Sequence, residues 1–410
     1  MQAVIALPVC RETADADELL FHEICGIPLL VRTIATATRA GADEVLLIYP
    51  REFPSGIATK LRENKLLSTS ARLDFVAVPD FDPSSTSRWG QAVGHLSGEF
   101  LWVPWNWITN KQSFLKLPVR EHDTGKWSFP ARLTRNSVLL TSEHASALTQ
   151  RPEGIAVTST NSVAAAERWL VANSGKPLDG IYTTFNRRLC RPVVRALTHT
   201  RVTPNAVTLV GLFVSVLSAY CFSKGYYLSS VLGGLLFFLS GLCDEVDGML
   251  ARLKFADSAF GTWFEGYVDS LSYLLLFLGI AVGLYRGRGP QELWIGGAVL
   301  LGAVFSFTVI SWLRKRSTHA DRPNEYLGKM YQLLDNDRAN WISRTARNIE
   351  FLLKKGVFVH YVVLFSVLGL LPVMMRLAAF AANLTWILVL YFSRRFFRSA
   401  QLSDEVVPFP

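Results

Sequence analysis

The sequence carries apolar runs of roughly 18 or more residues from about position 206 onward, the length a helix needs to cross bilayer hydrocarbon. No other feature restricts the fold so strongly. In lipid the backbone must satisfy its own polar groups, so each run is expected to be a helix. The spacing predicts spans at 206–224, 227–250, 260–285, 291–313, 357–374 and 377–397, an all-α bundle of six transmembrane helices. Residues 1–170 contain no comparable run, and the overall charged fraction of 18% averages two unlike halves. The short apolar stretch Ala3–Val9 lacks a basic flank and is too short for a secretory signal, so it reads as a buried first strand.

Orientation follows from where Lys and Arg collect beside the spans. Basic residues precede the first span, follow the second (Arg252, Lys254), follow the fourth (Arg314, Lys315, Arg316), precede the fifth (Lys354, Lys355) and follow the sixth (Arg394, Arg395, Arg398). Those flanks share one side of an even-numbered bundle, while Lys224, Arg286, Arg288 and Arg376 fall on the other. Both termini are thereby expected on the cytoplasmic side of an inner or plasma membrane, with the polar loop 314–356 and one amphipathic helix inside that loop. Much of the formal charge of +9 lies at these flanks, where it suits anionic lipid headgroups and gives no reason to expect nucleic acid. The five cysteines show no paired spacing, which argues for a reducing compartment and against a disulfide frame or a zinc site.

The first half alternates short β-rich runs (Ala3–Val9, Glu44–Tyr49, Phe75–Pro79, Phe100–Val103) with helical segments (Leu29–Arg39, Gly56–Lys65, Ala164–Ala172). That alternation predicts an α/β domain over residues 1–172 with a mostly parallel sheet. Asn173-Ser174-Gly175-Lys176-Pro177 marks the boundary to a membrane domain over 176–410. Its lead-in, 184–201, interleaves Arg187, Arg188, Arg191, Arg195 and Arg201 with Phe185, Leu189, Val193, Val194 and Leu197. Basic and apolar residues mixed at helical spacing suit a helix lying on the membrane surface.

Carboxylates near the ends of membrane helices are costly and mark function. The second span ends Gly241-Leu242-Cys243-Asp244-Glu245-Val246-Asp247-Gly248-Met249-Leu250-Ala251-Arg252, and the third opens Gly261-Thr262-Trp263-Phe264-Glu265-Gly266-Tyr267-Val268-Asp269. At about 100° per residue, Asp244, Asp247, Gly248 and Ala251 share one helix face. Glu265 and Asp269 share a face of the next helix, with Gly261 one turn earlier. A short connection makes the two helices antiparallel neighbours, so the four acids are expected to converge. Carboxylates that close cannot all ionise without a counter-charge. Oxygen donors suit Mg²⁺, Mn²⁺ or Ca²⁺, and a pair of such ions forms a clamp for displacement at phosphorus. Gly248 and Ala251 leave the helix surface bare for a nucleotide, and Arg252 and Lys254 add positive charge for a diphosphate.

The pattern Asp-x2-Asp-Gly-x2-Ala-Arg-x8-Gly-x3-acid-x3-Asp, met from Asp244 to Asp269, resembles the signature of the CDP-alcohol phosphotransferases. One position departs from it: the third acid is Glu265 where the family has Asp. The extra methylene moves the carboxylate by about a bond length. Lys176-Pro177-Leu178-Asp179-Gly180, Asn186-Arg187 and Thr203-Pro204-Asn205-x2-Thr208 look like the family's lead-in and first-helix start, so the resemblance covers about 176–400. It implies metal ligation by Asp244, Asp247, Glu265 and Asp269, with Asp269 also the general base. It further implies a nucleotide pocket at Pro204, Asn205, Thr208, Gly248, Ala251, Arg252 and Gly261. The implied reaction moves a substituted phosphate from a CDP-alcohol to an acceptor hydroxyl, releases CMP, and belongs to phospholipid or polar-headgroup synthesis in a homodimer.

Gly26-Ile27-Pro28-Leu29-Leu30-Val31-Arg32-Thr33-Ile34 and Ala40–Ile48 look like sugar-phosphate nucleotidyltransferases, domains fused to this transferase in some inositol-phosphate pathways. An active one needs a Gly-rich phosphate loop after its first strand. Here Pro8–Glu18 has no glycine and more acid than base, and Leu101–Trp107 lacks a metal-binding Asp. A degenerate, non-catalytic domain is expected. A non-catalytic nucleotide-binding scaffold is the alternative for the whole chain. A transporter fits less well, since the acids lie at helix ends and no repeated halves are visible. His319 and His360, lone histidines near a membrane surface, read as structural.

Overall fold

The computed structural model describes residues 1–8, 16–50, 55–68, 72–117, 119–120, 129–135, 138, 153–175, 180–317, 340–345 and 355–402. Most of the Pro8–Glu18 loop, Lys176–Asp179, His319 and most of the loop 314–356 lie outside them. The chain forms two compact units. The first is Met1–Ser174 with Val194–Arg201 and Arg252–Phe255; the second is Gly175–Val193, Val202–Ala251 and Ala256–Pro410.

The first unit is built on a six-stranded sheet: β1 (Gln2–Ala6), β2 (Glu44–Tyr49), β3 (Arg72–Ala77), β4 (Glu99–Trp102), β5 (Val119–Arg120) and β6 (Ala131–Thr134). The spatial order is β3-β2-β1-β4-β6-β5. β1 pairs in parallel with β2 and β4, and β2 with β3; β6 runs antiparallel to β4. The parallel centre was legible because its strands are buried on both faces and so read as unbroken apolar runs. Successive side chains feed opposite cores. Ala3, Ile5, Val45, Leu47 and Leu101 join the core that holds Leu30 and Ile34 of α1 (Leu29–Arg39). Val4, Leu46, Ile48, Phe100 and Trp102 join the other, around the fully buried Trp89. The antiparallel edge had no clear sequence signal: β5 and β6 are short, and β6 alternates buried with half-buried residues. α2 (Thr160–Ala172) starts on a Ser159–Ser162 capping box. Its Glu167 is buried, accepting from the Cys25 backbone at 3.0 Å and pairing with Arg195 and His199.

The second unit is helical: α3 (Ile181–Thr198, its last turn belonging to the first unit), α4 (Pro204–Ser223), α5 (Tyr227–Leu253), α6 (Ala259–Arg288), α7 (Gln291–Ser317), α8 (Lys355–Val367) and α9 (Leu371–Leu402). Among the described residues, five helices are long and apolar enough to cross a membrane: α4, α5, α6, α7 through Leu313 and α9 through Arg394. The expected fifth span, 357–374, ends earlier than the sequence suggests. α8 stops at Val367, and Gly369 takes a left-handed φ of 65°, which breaks the chain before α9 begins at Leu371. Among the described residues α8 is a shorter apolar helix than those five.

Inside this unit small residues bring helices together. α4 buries Thr208, Gly211, Ser215 and Ser218 along one stripe. Ser215 and Ser240 hydroxyls lie 2.6 Å apart, Ser240 donates to the Gly211 carbonyl, and Ser218 donates to the Gly233 carbonyl. A Cβ on Gly283 would collide with the Phe222 carbonyl oxygen, so that close crossing requires glycine.

Candidate metal centre

The acids are positioned by a tight reversal between α5 and α6. After α5 the Ala256 amide returns to the Ala251 carbonyl, and Phe255 takes a left-handed φ of 53°. Ser258 then caps α6, its hydroxyl accepting from the Gly261 amide at 2.9 Å. Across this turn Asp244, Asp247 and Glu265 come together, one carboxylate oxygen from each lying within 4.8 Å of the others. Asp247 is buried, while Asp244 and Glu265 are half-buried. Asp269, one turn further along α6, is half-buried and is not one of these three.

Three carboxylates at this separation need compensating positive charge to stay ionised together. All the donors are hard oxygens, held on two helices. Such a set fits Mg²⁺ or Mn²⁺ and is a poor match for softer ions that select sulfur or imidazole. Glu265 reaches the cluster despite its extra methylene, so the substitution of Asp by Glu does not remove that carboxylate from the group.

The remaining sequence-predicted residues fall in several places. Thr203 caps α4 with Pro204 in the first turn, and its hydroxyl accepts from the Ala206 amide at 3.3 Å. The Asn205 side-chain oxygen lies 3.5 Å from where a Cβ on Gly261 would stand, so the bare glycine gives that amide space at the start of α6. Gly248 and Ala251 are half-buried on α5. Arg252 donates from Nε to the Ser174 carbonyl within the first unit, an anchoring role that sequence reasoning did not foresee. Lys254, read as positive charge for a diphosphate, donates to the Thr200 carbonyl there. Burial lowers its pKa. His360 Nδ1 lies 2.9 Å from the Gly356 carbonyl, and Tyr182, Phe185 and Phe238 surround its ring.

Two partners of the acids escaped sequence reasoning. Thr208, expected at the nucleotide, donates its hydroxyl to Asp247 at 2.5 Å with both groups buried. Its signal was present in the stripe of small and polar residues on α4, which must face another helix in lipid. The second is the ion pair of Arg187 on α3 with Glu245 on α5, at 2.8 Å with side chains only 10% and 12% exposed. Nothing in local periodicity identifies that pair, since its members are 58 residues apart.

Helices that pack through small residues in a lipid-facing bundle, with clustered carboxylates at the end of one and the start of the next, define a membrane enzyme of phosphoryl-group chemistry. The sequence profile of the CDP-alcohol phosphatidyltransferases matches residues 201–387, so the chain carries a domain of that family there. It is 33% identical over 82 residues to an archaetidylinositol phosphate synthase of Pyrococcus horikoshii, covering 20% of this chain and 42% of that one. An uncharacterised protein of Aquifex aeolicus is 30% identical over 178 residues, 43% of this chain and 83% of that protein. A phosphatidylinositol phosphate synthase of Cutibacterium acnes is 29% identical over 124 residues, 29% of this chain and 58% of the other. The chain thus spans about half the length of the two named synthases.

Proposed function

We propose that the protein is an integral membrane transferase that moves a phosphatidyl-type group from a CDP-alcohol to the hydroxyl of an acceptor, releasing CMP in lipid synthesis. The single observation that carries this is the carboxylate cluster of Asp244, Asp247 and Glu265 on the family's spacing. The acceptor is an inositol phosphate, a reading supported by the names of two of the relatives and by the α/β domain that precedes the membrane helices. The donor is a CDP-linked lipid.

Asp244, Asp247, Glu265 and Asp269 would hold a pair of Mg²⁺ or Mn²⁺ ions. Bound there, the ions would neutralise the donor's diphosphate and the charge left on departing CMP. Asp269 takes the proton from the acceptor hydroxyl, whose oxygen attacks the β-phosphorus in line with CMP. A carboxylate is a weak base for an alcohol, so positioning supplies most of its effect. Thr208 donates to Asp247 and so orients that carboxylate. Pro204, Asn205, Gly248, Ala251, Arg252 and Gly261 line the path of the cytidine and its phosphates.

The basic flanks set the acids and the α/β domain on the cytoplasmic side, and the active form is a homodimer joined through its membrane helices. The α/β domain is a nucleotidyltransferase relative without catalysis. Where a metal-binding Asp would follow β4, the Asn106 amide is occupied in donating to the Val157 carbonyl.

The test is CMP release by the purified protein with Mg²⁺ or Mn²⁺, CDP-lipids and a panel of acceptors that includes inositol phosphate. Metal-dependent CMP formation is expected, reduced roughly 10²–10⁴-fold by Asp269→Asn. Silence across the panel with CDP-lipid binding intact would replace the enzyme by a nucleotide-binding membrane scaffold.

A further inference from the structure

Glu245 poses a problem for any metal bound at this site. It sits beside Asp244 in the chain and two residues before Asp247, in positions the family's spacing leaves unspecified. Around the helix it lies about 100° from Asp244 and about 160° from Asp247. It is nearly as buried as they are, yet its carboxylate is not among the three that converge. Its Oε2 instead accepts from Arg187 Nε at 2.8 Å. Arg187 comes from α3, and its neighbours hold α3 firmly against the bundle. The Cys190 thiol donates to the Leu242 carbonyl at 3.5 Å and Asn186 donates to the Gly356 carbonyl at 3.3 Å.

We propose that Arg187 is a positioning residue for the metal centre: it holds Glu245 away from Asp244, Asp247 and Glu265 and cancels the field of that extra carboxylate. The inference rests on the metal-dependent transferase reading above. Its physical basis is the low effective dielectric of a buried pair, where an uncompensated unit charge within a few residues is felt strongly by a divalent ion. Removing Arg187 leaves a negative charge beside the site, which strengthens cation binding and repels the donor's diphosphate. Removing the Glu245 charge leaves a positive one, with the opposite consequences. A purely structural ion pair has no such sign: losing either partner simply loosens the fold.

The experiment measures Mn²⁺ binding by electron paramagnetic resonance on the full chain in lipid nanodiscs without substrate, alongside the KM for a CDP-lipid. Arg187→Met is expected to tighten Mn²⁺ on the order of tenfold and to raise the donor KM, and Glu245→Gln to weaken Mn²⁺ by a similar factor. The double variant Arg187→Met with Glu245→Gln is expected to return near the wild-type value, and Arg187→Lys to stay near it throughout. Shifts of the same sign in both single variants, or unchanged Mn²⁺ affinity in folded variants, would overturn the proposal. If Arg187→Met does not fold, Glu245→Gln, the double variant and Arg187→Lys decide it alone. Wild-type protein that binds no Mn²⁺ would overturn the metal reading and this inference together, whereas normal wild-type binding with coincident shifts would overturn only the inference.

Discussion

The two units of this chain are assembled on opposite plans. In the first, large aliphatic and aromatic residues fill both sides of a sheet: Ile5, Leu46, Phe100 and Trp89 are essentially without exposure. In the second, Ser215 and Ser218 are buried while Phe213 is 63% exposed and Leu209 53% exposed on the same helix. Water drives the first arrangement, because burying apolar surface is favourable there. Lipid gives no such gain between helices, so close backbone approach, small side chains and interhelical hydrogen bonds take over. The difference shows why the same residue type carries different information on either side of residue 175.

The comparison is broken most severely by a cavity in the sheet core. Leu46→Ala is expected to cost about 2–5 kcal/mol, read as a lowered unfolding midpoint of the first unit. An effect below about 1 kcal/mol would mean that this unit does not depend on its core as the burial indicates.

A smaller effect is expected where the two plans meet chemistry. Thr208→Val keeps the volume but removes the hydroxyl that Asp247 accepts from. Metal affinity or turnover should fall about 10- to 100-fold with little change in thermal stability, because an outer partner orients a ligand without being one. Unchanged metal dependence in this variant would return Thr208 to the nucleotide pocket.

The smallest effect sharpens the contrast. Ser218→Ala removes one hydrogen bond to the Gly233 carbonyl and is expected to cost only about 0.6 kcal/mol, with an upper bound of about 1.7. Denaturation in lipid bicelles checks it. A loss comparable to that of Leu46→Ala would mean that polar contacts carry this bundle more heavily than its many small contacts suggest.

Much of the fold was legible where one periodicity dominated. Glu44–Tyr49 and Leu29–Arg39 stand in the structure with the bounds read from sequence, because a strand buried on both faces and an amphipathic helix each leave an unbroken local pattern. The strand at Arg72–Ala77 starts earlier than expected, since Arg72 and Asp74 sit near the sheet edge and give no apolar signal. The end of the fifth span was misplaced for a related reason: hydropathy continues smoothly through Leu368–Leu370, while the helix is stopped by a backbone conformation at Gly369.

The spacing of Asp244, Asp247 and Glu265 was fixed by the chain alone, because a helix converts sequence intervals into angles and a short turn forces its neighbour antiparallel. The chain also dictated lipid-crossing helices and the parallel centre of the sheet, since both follow from local hydrophobic pattern. Only the tertiary structure decided that Thr208 would grip Asp247, that Arg187 would claim Glu245, and that Arg252 would bind a backbone carbonyl. Those partners lie 39, 58 and 78 residues apart, and no local periodicity encodes a meeting that depends on which helix faces pack together.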